Sequence, residues 1–172
     1  AVSRAAAQPL SPWNWLGVPM LQVMAASIVF ALPLRFWGHG LPEPVFAMPA
    51  VFAWAVIRPS MLAPAAVMLL GIFLDFLWNT PTAFWAVCLL LPYGLLLAAR
   101  PILAGQSQLM MWIWYGASTA LTLGAGYLFT MLNTQNAPDP LGVLWQFLAT
   151  VVLYPFADRL IERFEDADVR FR

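Results

Sequence analysis

The chain has 172 residues, of which 62% are hydrophobic and only 9% are charged. Soluble domains carry about 25% charged residues, so a soluble fold of this size could not hide so much apolar surface from water. Eight arginines balance eight acidic residues and there is no lysine, which argues against nucleic-acid binding through a basic face. The composition therefore predicts a single-domain, all-α integral membrane protein, because the backbone of an apolar run in lipid must satisfy its own hydrogen bonds.

Six apolar runs along the chain are candidates for helices that cross the roughly 30 Å of membrane hydrocarbon, which takes about 20 residues. In chain order they cover residues 16–34, 44–57, 60–78, 82–99, 109–132 and 141–156. They predict a bundle of six transmembrane helices followed by a cytoplasmic tail over 157–172. The second run is the shortest and contains Pro49, so a re-entrant segment is the alternative there.

The positions of the arginines predict the orientation, because positively charged residues are retained on the cytoplasmic side of a membrane. With six spans and both termini inside, seven of the eight arginines are cytoplasmic and only Arg35 is outside. The nine tryptophans lie near predicted span ends, where an indole ring can sit at the headgroup level. Both patterns favour a multi-pass protein with both ends in the cytoplasm.

An isolated carboxylate, Asp75, lies near the outer end of the third span, in the stretch GIFLDFLWNTP. An acid at mid-membrane costs about 2.5–3.5 kcal/mol on insertion scales. Gly71, one turn below on the same face, leaves room for a neighbouring helix. Three roles are open. Asp75 could form hydrogen bonds with Thr80, with Thr82 or with the backbone N–H groups that begin the fourth helix. It could instead handle a proton or cation, or contact a partner protein. Because no second ionisable group lies at this depth, the first and third are preferred.

The fifth span carries small residues on one face. Gly116, Ala120 and Gly124 recur at four-residue spacing, which lets another backbone approach closely. This face predicts either packing inside the bundle or contact with a second membrane protein.

The tail is predicted to form a short amphipathic helix in the cytoplasm. Its apolar side chains fall on one helical face, namely Leu160, Phe164, Ala167 and Phe171. Such a helix either lies along the membrane surface or docks a cytoplasmic partner.

No combination of residues points to catalysis. Asp75 has no second acid or histidine at its depth for acid–base chemistry, and Ser118 and Thr119 have no intramembrane histidine or lysine to activate them. Cys88 and His39 are each the only residue of their type, and there is no phosphate-binding or dinucleotide fingerprint. We therefore predict a protein that is not an enzyme, with no catalytic, cofactor-binding or metal-binding residues.

The stretch from Gly71 through Asp75 to Pro81 resembles the signature of the MreD family, the small inner-membrane subunit of the bacterial rod-shape machinery. In that family a glycine is followed four residues later by an aspartate, and then by a polar turn with proline and glycine that opens the next helix. Thr82 and Ala83 stand where the family often has that second glycine.

Two further segments carry the resemblance. Trp54 followed by Arg58 and Pro59 is similar to the family's aromatic-then-Arg-Pro entry to the same helix. Tyr154 and Pro155, followed by a basic helix, are similar to the family's C-terminus. With the length, six spans and cytoplasmic ends, the likeness covers nearly the whole chain.

The resemblance implies a non-enzymatic scaffold that supports peptidoglycan synthesis and cell-shape control from the bacterial inner membrane. It implies contact with MreC, with the actin-like MreB directly or through MreC, and with RodA and its partner penicillin-binding transpeptidase. It also implies a likeness to the six-helix fold of the S-component, the substrate-binding subunit of energy-coupling-factor transporters. That kinship supplies the alternative function, a transporter subunit that holds a small molecule from its outer face, although the short outer loops HGLPEP and NTQNAPDP offer few convergent donors.

Overall fold

The computed structural model describes residues 11–31, 35–36, 39–40, 43–57 and 60–169. These residues form a π-helical turn, seven α-helices and one short antiparallel pair of strands. In chain order the elements are the turn Trp13–Gly17, α1 (Val18–Ala31), β1 (Arg35–Phe36), β2 (His39–Gly40), α2 (Ala47–Ile57), α3 (Leu62–Trp78), α4 (Phe84–Leu103), α5 (Gln108–Thr134), α6 (Pro140–Val151) and α7 (Tyr154–Val169). Apart from the two-residue strands, the regular structure of the described chain is helical, which confirms the predicted all-α class.

Three of the described helical stretches are long and apolar enough to cross a membrane. They are Trp13–Ala31, Phe84–Leu103 and Pro140–Arg163, the last of which joins α6 to most of α7, while Ala47–Ile57 and Leu62–Trp78 are apolar but shorter. Large apolar side chains also face outward from the bundle, as expected where lipid replaces water. Among them are Leu21, Ile28, Leu91, Leu95, Ile113, Leu128 and Leu144. The lengths of these helices and the apolar side chains on their outer surface together indicate a membrane protein.

The short helix α2 forms the centre of the bundle. Every residue from Ala47 to Ala55 is buried, and α2 contacts α1, α3, α4, α5 and α7. Its sequence is apolar on every side, which is typical of a helix enclosed by others. At 1.5 Å per residue, its eleven residues span about 16 Å, roughly half of the hydrocarbon thickness. Because the neighbouring helices enclose α2, its backbone ends are kept away from lipid, where unpaired polar groups are costly.

Trp54 departs from the headgroup position predicted for the tryptophans. Its side chain is 1% exposed, and its Nε1 donates a hydrogen bond of 3.0 Å to the carbonyl of Trp15. The indole N–H is therefore satisfied inside the protein. The composition of a span end does not distinguish a tryptophan that faces lipid headgroups from one that faces a neighbouring helix, and here the second case holds.

The sixth predicted span, 141–156, is interrupted before its end. α6 ends at Val151, a turn covers 152–153, and α7 begins at Tyr154. Pro155 lies in the first turn of α7, where its missing N–H removes no helical hydrogen bond. The break at 152–153 lies just before Pro155, whose ring would clash with the preceding turn of a continuous helix.

The amphipathic helix predicted for the tail is present as part of α7, but its first turns belong to the bundle. Ala157 and Ile161 are buried, and α7 packs against α2. Glu162 and Arg163 are exposed on the other side. Of the predicted apolar face, Leu160 is partly buried, whereas the side chains of Phe164, Ala167 and Phe171 lie outside the described ones.

Candidate functional site

The α3–α4 junction, residues 75–85, is a tight turn between two closely packed helices. The N–H groups of Asn79 and Thr80 both bond to the backbone carbonyl of Asp75 and close the last turn of α3. Asn79 and Ala83 have left-handed backbones, with φ of 52° and 70°. Asparagine tolerates this conformation, whereas for alanine it costs about 1–2 kcal/mol. Thr82 and Ala83 are the positions where the resemblance implies a glycine, and the positive φ of Ala83 is a conformation that glycine adopts without this cost.

The Asp75 side chain ties the junction together. It is 4% exposed, and its Oδ1 accepts one hydrogen bond of 2.8 Å from the Thr80 hydroxyl and another of 2.8 Å from the Trp85 backbone N–H. The first N–H groups of a helix have no partner within the helix, and a negative charge there is favoured by the helix dipole. The structure thus contains the hydrogen bonds of the first role considered for Asp75, with Thr80 rather than Thr82 as the hydroxyl donor.

Gly71 allows α3 and α4 to touch backbone to backbone. A β-carbon added at Gly71 would overlap the Ala86 backbone and would lie 2.8 Å from the Trp85 carbonyl carbon. The room that the sequence predicted beside Gly71 is therefore fully used by α4. Pro81 lies in the exposed part of the same junction, where its carbonyl accepts from the Phe84 N–H at 3.1 Å. The structure thus places Asp75 and Pro81 in the α3–α4 junction, with Gly71 one helical turn before Asp75 on α3.

A mixed polar and aromatic cleft of about 400 Å³ opens beside this junction. We call it the junction cleft; its other walls come from the second half of α5, the loop that follows α5, and α6. The lining residues are Glu43, Trp78, Asn79, Thr80, Pro81, Phe84, Trp85, Leu123, Gly126, Tyr127, Thr130, Asn133, Thr134, Pro138, Val143 and Gln146. The outer loops were expected to offer few convergent donors, but several polar groups of the cleft come from helices, as Thr130, Asn133 and Gln146 do. The sequence feature that could have indicated this cleft is the run of polar residues in the last turns of α5.

The small-residue face of α5 points away from the rest of the bundle. No atom of the described residues, beyond the helix's own backbone and chain neighbours, lies within 4 Å of a β-carbon added at Gly116 or Gly124, and Ala120 is exposed. The described residues therefore do not pack against this face inside the bundle. Contact with a second membrane protein stays a prediction. The inward side of α5 carries buried Ser118 and Thr119 instead, whose hydroxyls donate to carbonyls four residues earlier.

Tyr154 anchors an aromatic cluster beside the other end of α5. It is buried and packs against Tyr115, Phe52 and Trp112, with ring centroids 5.5, 6.5 and 6.0 Å away. The Tyr115 hydroxyl donates 2.9 Å to the carbonyl of Thr150. This cluster contacts the first turns of α5, whereas the junction cleft borders its last turns. Tyr154 therefore acts in packing, and the structure does not bring it to the Asp75 junction.

In the sequence Arg100 indicated only the topology, whereas in the structure it also contacts the end of α2. Its Nε donates 3.0 Å to the carbonyl of Val56, and its second guanidinium nitrogen donates 2.7 Å to the carbonyl of Ile57. The last carbonyls of a helix have no partner within the helix, and a positive charge there is favoured by the dipole. Arg100 therefore caps α2 from the last turn of α4. The predicted pair Arg58 and Pro59 follows this cap directly and lies outside the described residues.

Within the described ranges, no three His, Cys, Asp or Glu side chains are grouped as metal ligands. Comparisons of the chain with family models, with curated proteins and with solved structures found no match.

Proposed function

We propose that the chain is a non-enzymatic membrane scaffold of the bacterial rod-shape machinery, resembling MreD proteins. In this proposal it crosses the inner membrane six times with both termini in the cytoplasm. It supports peptidoglycan synthesis and cell-shape control through contact with MreC, with MreB directly or through MreC, and with RodA and its partner transpeptidase.

The observation that carries the proposal is the hydrogen bonding of Asp75 within the α3–α4 junction. Its Oδ1 accepts from the Thr80 hydroxyl and the Trp85 N–H and so holds the α3–α4 junction together, while its Oδ2 is buried without a partner among the described residues. A turn that is held by a buried carboxylate suits a protein that presents a fixed surface to partners. The outward small face of α5 supports the same role, because small residues let a partner's transmembrane helix approach closely.

Replacing Asp75 in the native host tests the scaffold proposal. Asp75→Leu removes both hydrogen bonds, so we expect reduced protein levels and rounded cells. Asp75→Asn keeps an oxygen that can accept both bonds, and we expect largely normal rods. Glu162→Gln, at an exposed acid on α7, is the matched control and should leave cell shape unchanged. Normal rods with normal levels of Asp75→Leu would count against the role assigned to this turn.

A second candidate function is a membrane subunit that binds a small molecule, and the junction cleft is the specific observation that favours it. Ligand sites commonly occupy about 300–1,000 Å³ and combine apolar walls with a few polar groups. The junction cleft, at about 400 Å³, has both. Mass spectrometry of the purified full chain, for a small molecule retained in stoichiometric amount, tests this candidate directly.

A further inference from the structure

One wall of the junction cleft is aromatic. The rings of Trp78 and Trp85 meet edge to face with centroids 4.7 Å apart, and Phe84 meets Trp85 in the same manner at 5.8 Å. Phe84 in turn contacts Phe129 of α5 at 6.4 Å. Such edge-to-face pairs hold one another in fixed orientations. The cleft therefore offers a rigid apolar surface against which a planar ring can pack.

Trp85, which lines the cleft, also has a hydrogen-bond donor without a partner among the described residues. Its side chain is 7% exposed, and the donor, Nε1, is buried. An indole nitrogen can only donate, and a buried donor without an acceptor costs free energy. A ligand that presents an acceptor to this N–H would remove that cost.

The charges of the cleft restrict the ligand further. Among the side chains that the structure describes, the lining contains no arginine, and Glu43 is the one charged group. The remaining polar groups are amides and hydroxyls, such as Asn133, Gln146 and Thr130. Burying an anion there would leave it without a counter-charge, whereas Glu43 can balance a cation.

Asp75 connects this wall to the rest of the fold. The two donors that its Oδ1 engages belong to Thr80 and Trp85, and both residues line the cleft. Through these bonds Asp75 fixes the position of Trp85 in the first turn of α4. Asp75 is therefore a positioning residue, since it does not itself line the cleft.

We infer that the junction cleft binds an uncharged or cationic small molecule that carries a planar ring and a hydrogen-bond acceptor, with Asp75 holding the wall that receives the ring. The inference rests on the second candidate function and gives it a site and a ligand class. It is independent of the scaffold role.

Three probes that share one ring and differ in charge test the ligand class. They are nicotinamide, which is neutral, 1-methylnicotinamide, which is cationic, and nicotinate, which is anionic. Saturation-transfer NMR is recorded on the purified full chain in lipid nanodiscs. We expect the neutral and cationic probes to bind and nicotinate to bind at least about tenfold more weakly, because no described lining residue offsets its charge. Binding of nicotinate equal to that of the other two, or no binding by any probe, would overturn the inference.

Variants then locate the binding site. Thr130→Trp fills the cleft from α5 and should abolish probe binding, while Leu128→Trp places the same ring on an outward face and should leave it unchanged. Trp85→Phe keeps the ring but removes the donor, so affinity should fall about three- to tenfold, as expected for one hydrogen bond. Trp112→Phe, in the first turns of α5, is its matched control. Probe binding that survives Thr130→Trp would remove the cleft as the site.

The positioning role of Asp75 is separated from a general loss of folding by its conservative replacement. Asp75→Asn should retain probe affinity within about threefold, since its amide oxygen can accept both bonds, whereas Asp75→Leu should lose it. Equal binding by both variants contradicts the positioning role. If a molecule found in the purified protein by mass spectrometry persists in Thr130→Trp, a binding function stands but the cleft does not carry it.

Discussion

At Gly71, the atoms that a side chain would meet belong to the backbone of the neighbouring helix. An added methyl group would overlap the Ala86 backbone, and a backbone cannot turn aside as a flexible side chain can. We expect Gly71→Ala to lower the free energy of unfolding by about 1–3 kcal/mol or more, as overpacking does. Thermal unfolding of the purified protein in one detergent measures this change.

Gly116→Ala is the matched control for that substitution. The same methyl group at Gly116 meets no described atom within 4 Å beyond its own helix, so it should be neutral or should stabilise α5 by up to about 1 kcal/mol through helix propensity. Equal destabilisation by the two alanines would show that the close approach of α3 and α4 does not limit stability.

Among the single residues, the sequence predicted the junction better than it predicted the cleft. Gly71, Asp75 and Thr80 could be assigned because a small residue, a lone buried acid and a nearby hydroxyl each have few physical uses in an apolar helix. The orphaned indole of Trp85 could not be assigned. Whether an N–H has an acceptor depends on side chains brought together by α5 and α6, which are distant in sequence.

At the scale of elements, capping of α2 by Arg100 leads to a further prediction. Arg100→Ala leaves the Val56 and Ile57 carbonyls without their donors, and hydrogen bonds from charged groups contribute about 1.5–3 kcal/mol. We expect faster amide exchange in the last turn of α2 and a lower unfolding temperature. Arg100→Lys keeps the charge but lacks the planar fork, so it should restore only part of the loss.

Arg163→Ala is the control for the Arg100 variants, because Arg163 is exposed on α7. It removes the same charge without touching a helix end of α2. If it altered exchange in α2 as much as Arg100→Ala does, the effect would come from net charge and the cap would be ruled out as the cause.

Helix positions followed from the sequence where apolar runs are bounded by turn residues. The predicted spans 60–78 and 82–99 lie close to α3 (Leu62–Trp78) and α4 (Phe84–Leu103), because a polar turn with Pro81 separates them. The sequence did not predict which helix lies inside the bundle. Lipid is as apolar as the protein core, so a helix that is apolar all round, such as α2, carries no contrast between its lipid side and its protein side. The outward direction of the small face of α5 was hidden for the same reason.

For the whole molecule, the six-crossing proposal predicts on which side each connection lies. Alkaline phosphatase is active only outside the cytoplasm, and green fluorescent protein fused by standard export folds only inside. We expect phosphatase activity from fusions in the loop after Gln135 and none from fusions in the loop after Ala104. Fluorescent protein should be bright at both termini. Phosphatase activity in both loops, or a dark terminus, would contradict the proposed topology.

The enclosure of α2 also sets the order in which the chain can reach its final packing. α2 and α7, which pack together, are separated by about a hundred residues of chain, and chains are synthesised from the N-terminus. When α2 leaves the ribosome, α4 and α7 do not yet exist, so its apolar surface must be held by lipid or by the insertion machinery. The bundle closes over α2 only once α7 has been made. Synthesis that stopped after α6 would leave the α7 side of α2 uncovered. Such a truncated chain would be a substrate for the quality-control proteases of the membrane.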